Sequence, residues 1–272
     1  MKEICSVGTF KGNKNLNQDR FCVDKKIISH DSPRIDCELE FAFDEDLHVV
    51  AVADGVTNSI DGGKAAEIVI KSVYESYDEV AFSHSDIKES LDDIIDNAAS
   101  MLRWEYKDYL TDVSAASTIS IVVFNKNRIW AYNLGDSPIL LIRNNKIIPL
   151  FHEDTLGAEK LEKQKGKNFA SRLFQKESPP TEKEFNCLTK CVSNHCYSVD
   201  GNFTSVDFLE DDVILVASDG LFKVIQENEA IGVKDSKTLI EKTVNYASDN
   251  VTVAIIRKEG DDNIHVTDEN EG

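Results

Sequence analysis

The sequence predicts an α+β layered fold in one large domain. Short segments rich in β-branched residues follow one another as hairpins, and segments of helical period stand in separate blocks rather than alternating with them. Composition agrees: of 272 residues, 41% are hydrophobic and 29% charged, which is ordinary for a globular chain. A chain of this length buries roughly three quarters of its unfolded surface and needs no disulfide staples.

Each element has its own signal. His48 to Ala53 is a continuous apolar run, a buried strand ending at Asp54-Gly55. Gly63 to Tyr77 reads as a helix, with Ile68, Val69, Val73 and Tyr77 near helical spacing. Asp86 to Leu102 reads as a second helix, because Ile87, Leu91, Ile94, Ala98 and Leu102 recur every three or four positions. Its N-cap is Ser85 or Asp86, and Glu89 three residues on favours Asp86. Four strands follow, Thr118 to Phe124, Arg128 to Asn133, Ile139 to Arg143 and Lys146 to Leu150, with turns at Asn125-Lys126-Asn127 and Asn144-Asn145. His152 to Glu184 is polar, contains Pro179-Pro180 and is expected to be an irregular insertion or flap. Strands resume at Val213 to Ala217 and Val251 to Ile256, with a helix over Ser236 to Tyr246. No linker or long-period repeat interrupts residues 1–258, while residues 259–272 form an acidic tail expected to be frayed.

The charge balance, 30 basic against 49 acidic residues, gives a net charge of -19. Such a surface repels phosphate backbones, so nucleic acid is not an expected partner. A phosphorylated substrate would be repelled too, unless a local cation reversed the field. The first residues show no basic region followed by an apolar stretch, so no signal peptide is expected. The longest apolar runs, such as Val49 to Ala53 and Val213 to Ala217, fall far short of the roughly 20 residues that cross a bilayer, so no membrane is expected either. Six cysteines at 5, 22, 37, 187, 191 and 196, with no secretory signal, suggest free thiols in a reducing cytoplasm. Cys187, Cys191, His195 and Cys196 cluster, but a zinc site usually adds a second, well-separated pair. Small apolar residues along a short helix is the preferred reading there.

The chemistry concentrates at strand ends. Val52-Ala53-Asp54-Gly55-Val56 and Val216-Ala217-Ser218-Asp219-Gly220-Leu221 are both apolar strands ending in Asp-Gly. Either one alone reads as a turn. Together with Asp249-Asn250 before the strand at Val251, and with Asp136 in Asn133-Leu134-Gly135-Asp136-Ser137, they suggest carboxylates converging on one rim. Without a cation such groups repel one another and resist ionising. Hard divalent cations such as Mg2+ or Mn2+ accept carboxylate, carbonyl and water oxygens, and the Gly55 carbonyl, unshielded by a side chain, is a further candidate ligand.

These segments resemble the metal-dependent serine/threonine protein phosphatases of the 2C type, in that family's order. Lys14-Asn15-Leu16-Asn17-Gln18-Asp19 is similar to the family's Arg-x-x-Asn-(Glu/Gln)-Asp. Val52-Ala53-Asp54-Gly55, Ala116-Ser117-Thr118, Asn133-Leu134-Gly135-Asp136-Ser137, Ala217-Ser218-Asp219-Gly220-Leu221 and Asp249-Asn250-Val251-Thr252 follow. The resemblance implies a sandwich of two antiparallel sheets flanked by helices, a four-layer αββα arrangement. It implies that Asp54 bridges two Mg2+ or Mn2+ ions with the Gly55 carbonyl on one of them, that Asp219 and Asp249 hold the other, and that Asp136 belongs to a third, weaker site found in some members. Asp19 would accept a hydrogen bond from metal-bound water, and Lys14 would bind phosphate. The implied reaction is hydrolysis of phosphoserine or phosphothreonine in phosphorylated protein substrates, by attack of a water bridging the two ions. A monomer is the expected state.

The sequence departs from the family pattern in places. Lys14 stands where Arg is usual, so the charge stays and the bidentate fork is lost. Pro138 replaces another usual Arg, Val56 stands where some branches carry His, and Gln18 is the neutral form of an acidic position. Lys14 and Pro138 motivate an alternative, a catalytically weak relative that binds phosphoproteins or partners. His152 and the Lys/Glu run from Glu159 to Lys167 read as solvated surface.

Overall fold

Strand alternation builds two sheets face to face. The computed structural model describes residues 2–78, 86–109, 114–165, 179–196 and 200–259. Its first four strands are β1 (Lys2–Phe10), β2 (Arg20–Val23), β3 (Ile27–Ile28) and β4 (Arg34–Ala42). Then come β5 (His48–Ala53), helices α1 (Gly62–Glu75) and α2 (Ile87–Glu105), and strands β6 (Ala116–Ser117), β7 (Ile119–Phe124), β8 (Arg128–Leu134), β9 (Ile139–Arg143) and β10 (Lys146–Pro149). Helices α3 (Leu156–Lys165) and α4 (Glu182–Phe185) precede β11 (Val192–Ser193), β12 (Asn202–Asp207) and β13 (Val213–Ala217). A 3-10 turn at Glu227–Ala230, helix α5 (Ser236–Thr243) and β14 (Val251–Glu259) close the order.

One six-stranded sheet runs β10-β9-β13-β14-β1-β4, the other β12-β8-β7-β5-β2-β3, and every pairing is antiparallel. A small β11-β6 pair stands beside them. Phe21, Val50, Val52 and Val122 of one sheet meet Cys5, Val7, Ile214, Val216 and Ala254 of the other in the sandwich interior. The next residues along the same strands point outward. Val49, Ala51, Ala53, Ile121 and Val123 pack under α1 and α2, while Leu215, Ala217, Val253 and Ile255 pack with Leu239 of α5. Sheets and helices therefore stack in the four layers that the resemblance implied.

Local chemistry explains the helix starts and turns. Asp86 caps α2, its side chain accepting from the Glu89 amide, and Asp61 caps α1 in the same way through Lys64. Asn144 and Asn145, with φ of 54° and 56°, form the two-residue turn joining β9 to β10, a conformation that Asn tolerates. Three expectations need correction. The insertion at 152–184 is not wholly irregular. It carries α3, which packs against Phe185 of α4 so closely that a Cβ at Gly157 would lie 2.6 Å from that ring, and the Lys160–Glu184 ion pair at 3.1 Å ties α3 to α4. The cysteine cluster does not run along a helix, because its chain becomes β11, paired with β6. The closing helix stops at Thr243 rather than Tyr246. Ser85 and residues 260–272 of the expected tail lie outside the described residues.

At the sandwich end where β1 and β5 begin, Glu3 is fully buried in the β1 face that carries Cys5 and Val7, with no hydrogen-bond partner for either oxygen. Burial pushes its carboxyl up to about 7, although the charges of His48 and Lys258 pull the other way. Its folded value lies above its unfolded one, so this group favours folding at low pH and that contribution fades as pH rises through about 5 to 7. Glu3→Met should therefore stabilise the protein at pH 8 by about 1–3 kcal/mol, the cost of an unpartnered buried polar group. The gain should shrink towards pH 5. Urea unfolding at both pH values measures it.

Candidate metal centre

The opposite end of the sandwich gathers the predicted residues. Asp54 directly follows β5, Asp219 follows β13, Asp249 precedes β14 and Asp136 lies in the β8–β9 turn. Together with Lys14 and Lys223 they line one cavity of about 500 Å3. Asp19 lies buried at the start of β2.

Backbone and hydroxyl contacts fix the carboxylates. The Asp54 amide donates to Thr118 Oγ1 at 3.1 Å, and its carbonyl accepts from the Thr118 amide at 2.9 Å and from Ser117 Oγ at 3.0 Å. Gly55 is required beside it, because a Cβ there would stand 2.3 Å from the backbone of Gly62 at the start of α1. At Gly220 a Cβ would stand 1.8 Å from the Asn250 carbonyl, so the turn carrying Asp219 touches the turn carrying Asp249. The Asn250 side chain accepts from the Gln18 amide at 2.8 Å and donates to the carbonyls of Lys11 and Leu16, fastening the β1–β2 loop to the same end. Ser218 Oγ donates to Asp19 Oδ2 at 2.7 Å. Asp19 Oδ1 is buried and has no hydrogen-bond partner.

The electrostatics are those of crowded acid. Burial pushes the Asp54 carboxyl well above its usual range, and Asp19, Asp219, Asp136 and Asp249 push it further. Burial raises Asp136 to about 7, with Asp219 adding to it. Asp19 rises to about 6, driven by burial and opposed by bonds from Ser218 and Thr252. Asp249 is the exception. Burial would raise it, but Lys223 and Lys14 hold it below the usual range. Lys14 Nζ lies 2.9 Å from Asp249 Oδ1, and Lys223 Nζ lies 2.6 Å from Asp219 Oδ2 and 2.9 Å from Asp249 Oδ2.

Among the described residues, no three or more His, Cys, Asp or Glu side chains are already drawn around one point as a metal cage. Two lysine ammoniums neutralise part of the cluster instead. The donor set nonetheless fits a hard divalent cation: it is all oxygen, several of its carboxyls are pushed towards neutrality, and one buried oxygen is orphaned. Cys187 and Cys191 line the rim of the cavity, and Cys196 Sγ donates to the Cys191 carbonyl at 3.3 Å.

Lys14 lines the cavity, and its ammonium rests on Asp249. The Pro138 carbonyl accepts from the Ala217 amide at 3.1 Å, joining the Asp136 turn to β13. His152 is 78% exposed and 3.9 Å from Glu162, as a solvated residue would be. Sequence reasoning passed over Lys223 and Ser218. Both flank the Asp219-Gly220 pair, and Lys223 follows Asp219 by four residues, one helical turn.

Sequence comparison decides the family: the protein phosphatase 2C profile matches residues 25–256. The chain belongs to the protein phosphatase 2C family. Among relatives of this family, protein phosphatase 2C homolog 1 of Saccharomyces cerevisiae is 27% identical over 172 residues, and the aligned stretch covers 58% of each chain. The chain thus spans less than two thirds of that relative's length. Among solved structures, the fold is similar to that of the S. agalactiae serine/threonine phosphatase, with a TM-score of 0.71 at 19% identity, covering 95% of this chain and 100% of that one. It is also similar to the catalytic domain of the serine/threonine protein phosphatase PstP in complex with two manganese ions, with a TM-score of 0.68 at 18% identity, covering 94% and 99%.

The contact between turns makes a prediction for this 2C-type chain. Gly220→Ala should cost roughly 1–3 kcal/mol, the range for forced overpacking. It should also weaken Mn2+ binding, because Asp219 and Asp249 can no longer approach. Denaturant unfolding and Mn2+ titration calorimetry of the variant check both effects.

Proposed function

We propose that the chain is a divalent-metal-dependent phosphatase that hydrolyses phosphoserine and phosphothreonine in proteins, using a water shared by two metal ions. The observation that carries this reading is the all-oxygen carboxylate cluster, with Asp54 at its centre, lining an open cavity in a chain of the 2C family. When bound, two Mg2+ or Mn2+ ions would acidify the shared water and neutralise the phosphoryl oxygens, which is most of what phosphoryl transfer requires.

Asp54, the Gly55 carbonyl, Asp219 and Asp249 would hold those ions, and Asp136 a third, weaker one. Asp19, with its free Oδ1, would accept a hydrogen bond from a water at the cluster and keep its attacking lone pair turned outward. Thr118 keeps the Asp54 backbone from moving as charge builds up beside it. Lys14, released from Asp249, would contact phosphate oxygens as a mobile point charge. A local cation excess also reconciles a phosphorylated substrate with a net charge of -19. No helix among the described residues is long and apolar enough to cross a membrane. We propose a monomer working in the cytoplasm on phosphoproteins.

A second reading, a phosphoprotein-binding relative with little turnover, is favoured by one observation: both Lys14 and Lys223 are engaged on Asp249. Turnover separates the two. With Mn2+ the protein should hydrolyse p-nitrophenyl phosphate and a phosphothreonine peptide, and an excess of chelator should abolish both activities. Asp54→Asn should lower turnover by at least about a hundredfold, as expected when a charge-stabilising group is lost, with the fold intact by circular dichroism. Near-normal activity in Asp54→Asn would contradict the metal assignment. Lys14→Ala should lower kcat/KM by about 1–3 kcal/mol while Mn2+ still binds, the range for a charged hydrogen bond. Steady-state kinetics with parallel metal titration tests it.

A further inference from the structure

Lys223 stands apart from every other group at the cluster. Its Nζ lies between two carboxylates that the proposed function assigns to one metal ion, 2.6 Å from Asp219 Oδ2 and 2.9 Å from Asp249 Oδ2. The placement is built in. The backbone from Asp219 to Ile225 makes a helical turn, with the Phe222 and Lys223 amides donating to the Asp219 carbonyl and the Val224 and Ile225 amides to Leu221. Leu221 and Ile225 anchor that turn in the core beneath α5. Residues i and i+4 lie on one face of a helical turn, so the Lys223 stem rises beside its own Asp219. Its side chain is 40% exposed, which leaves the ammonium a route to solvent.

We propose that Lys223 is a tethered cation that occupies the seat between Asp219 and Asp249 in the metal-free protein and must be displaced before a divalent ion can bind there. Five carboxylates, Asp19, Asp54, Asp136, Asp219 and Asp249, crowd this end of the sandwich. Lys14 reaches Asp249 only, through its other oxygen. Lys223 reaches both members of the pair and lies close enough to Asp136 to pull its carboxyl down as well. Its single charge removes the repulsion that would otherwise spread the two turns. An incoming ion carries two charges but must first break two charge-assisted bonds, so the metal affinity of this seat is set below what its oxygens alone would give. Freed by metal, the ammonium swings into the cavity mouth on its four-carbon stem.

The inference rests on the metal reading of the site, and one experiment separates the failure of either. Full-length wild type, Lys223→Met and Lys223→Arg are freed of metal. Each is then titrated with Mn2+ by calorimetry, with free Mn2+ followed by electron paramagnetic resonance, and each is melted without metal. Lys223→Met should melt lower than wild type when metal-free and yet bind Mn2+ more tightly at one site, by about ten- to hundredfold, the equivalent of one charged hydrogen bond or more. Lys223→Arg, which keeps the charge, should stay near wild type in both. A lysine with a merely structural role would move stability and affinity in the same direction. Unchanged or weaker Mn2+ binding in Lys223→Met overturns the proposal, as does an unchanged metal-free melting temperature. If Lys223→Met does not remain folded without metal, Lys223→Gln replaces it under the same criteria. Absence of Mn2+ binding in all three proteins would overturn the metal reading and this proposal together.

Discussion

Mutual repulsion among carboxylates at one end of the sandwich is the constraint around which the rest of the molecule is arranged. Burial and the neighbouring acids push the Asp54 carboxyl far above its usual range, and such an arrangement persists only if the scaffold holds the groups together. The scaffold does so with backbone rather than with long side chains. Gly55 lies against Gly62, Gly220 lies against the Asn250 carbonyl, and Thr118 grips both the amide and the carbonyl of Asp54. A close approach of backbones leaves no room for a side chain, so the acid is followed by glycine at both strand ends.

The rigidity behind those turns comes from a core with three compartments. The sandwich interior locks the two sheets, and each sheet has its own helical cover. Strand β1 sits between β14 and β4 with nearly all of its residues buried, which fixes the register of the loop carrying Lys14 and Asp19. The two ends of the sandwich then handle buried acid differently. Glu3 at one end is buried with no hydrogen-bond partner, and burial outweighs the pull of His48 and Lys258, so protonation suits it. At the other end Lys14 and Lys223 supply positive charge from the chain itself, and a divalent cation would supply more.

Much of this was readable in the residues, for physical reasons that also explain the gaps. Strands β5 and β13 follow the sequence reading to the residue, because unbroken apolar runs between turn formers leave little freedom. Strand β1 escaped it: a strand buried on both faces loses its alternation, and Glu3, Ser6 and Thr9 interrupt its apolar character. Strand β4 was passed over as well, although Arg34, Asp36, Glu38 and Glu40 alternate there with Ile35, Cys37, Leu39 and Phe41. Helix α3 hid because its surface is polar, and its place is fixed by tertiary contacts, the Thr155–Leu188 bridge and Phe185 at Gly157. At the site, acids at strand ends announced themselves. Lys223 did not, because its importance depends on Asp249, which lies 26 residues away in sequence and meets it only in the fold.

Asp54 is proposed as the shared ligand of a two-ion centre. The most direct measurement is anomalous diffraction from crystals of the full chain soaked in Mn2+. Two Mn2+ peaks are expected about 3.5–4 Å apart, the separation found in two-metal sites, both against the Asp54 carboxylate, with Asp219 and Asp249 on one of them. A lone peak away from Asp54, or Mn2+ held only by residues outside this cavity, would contradict it.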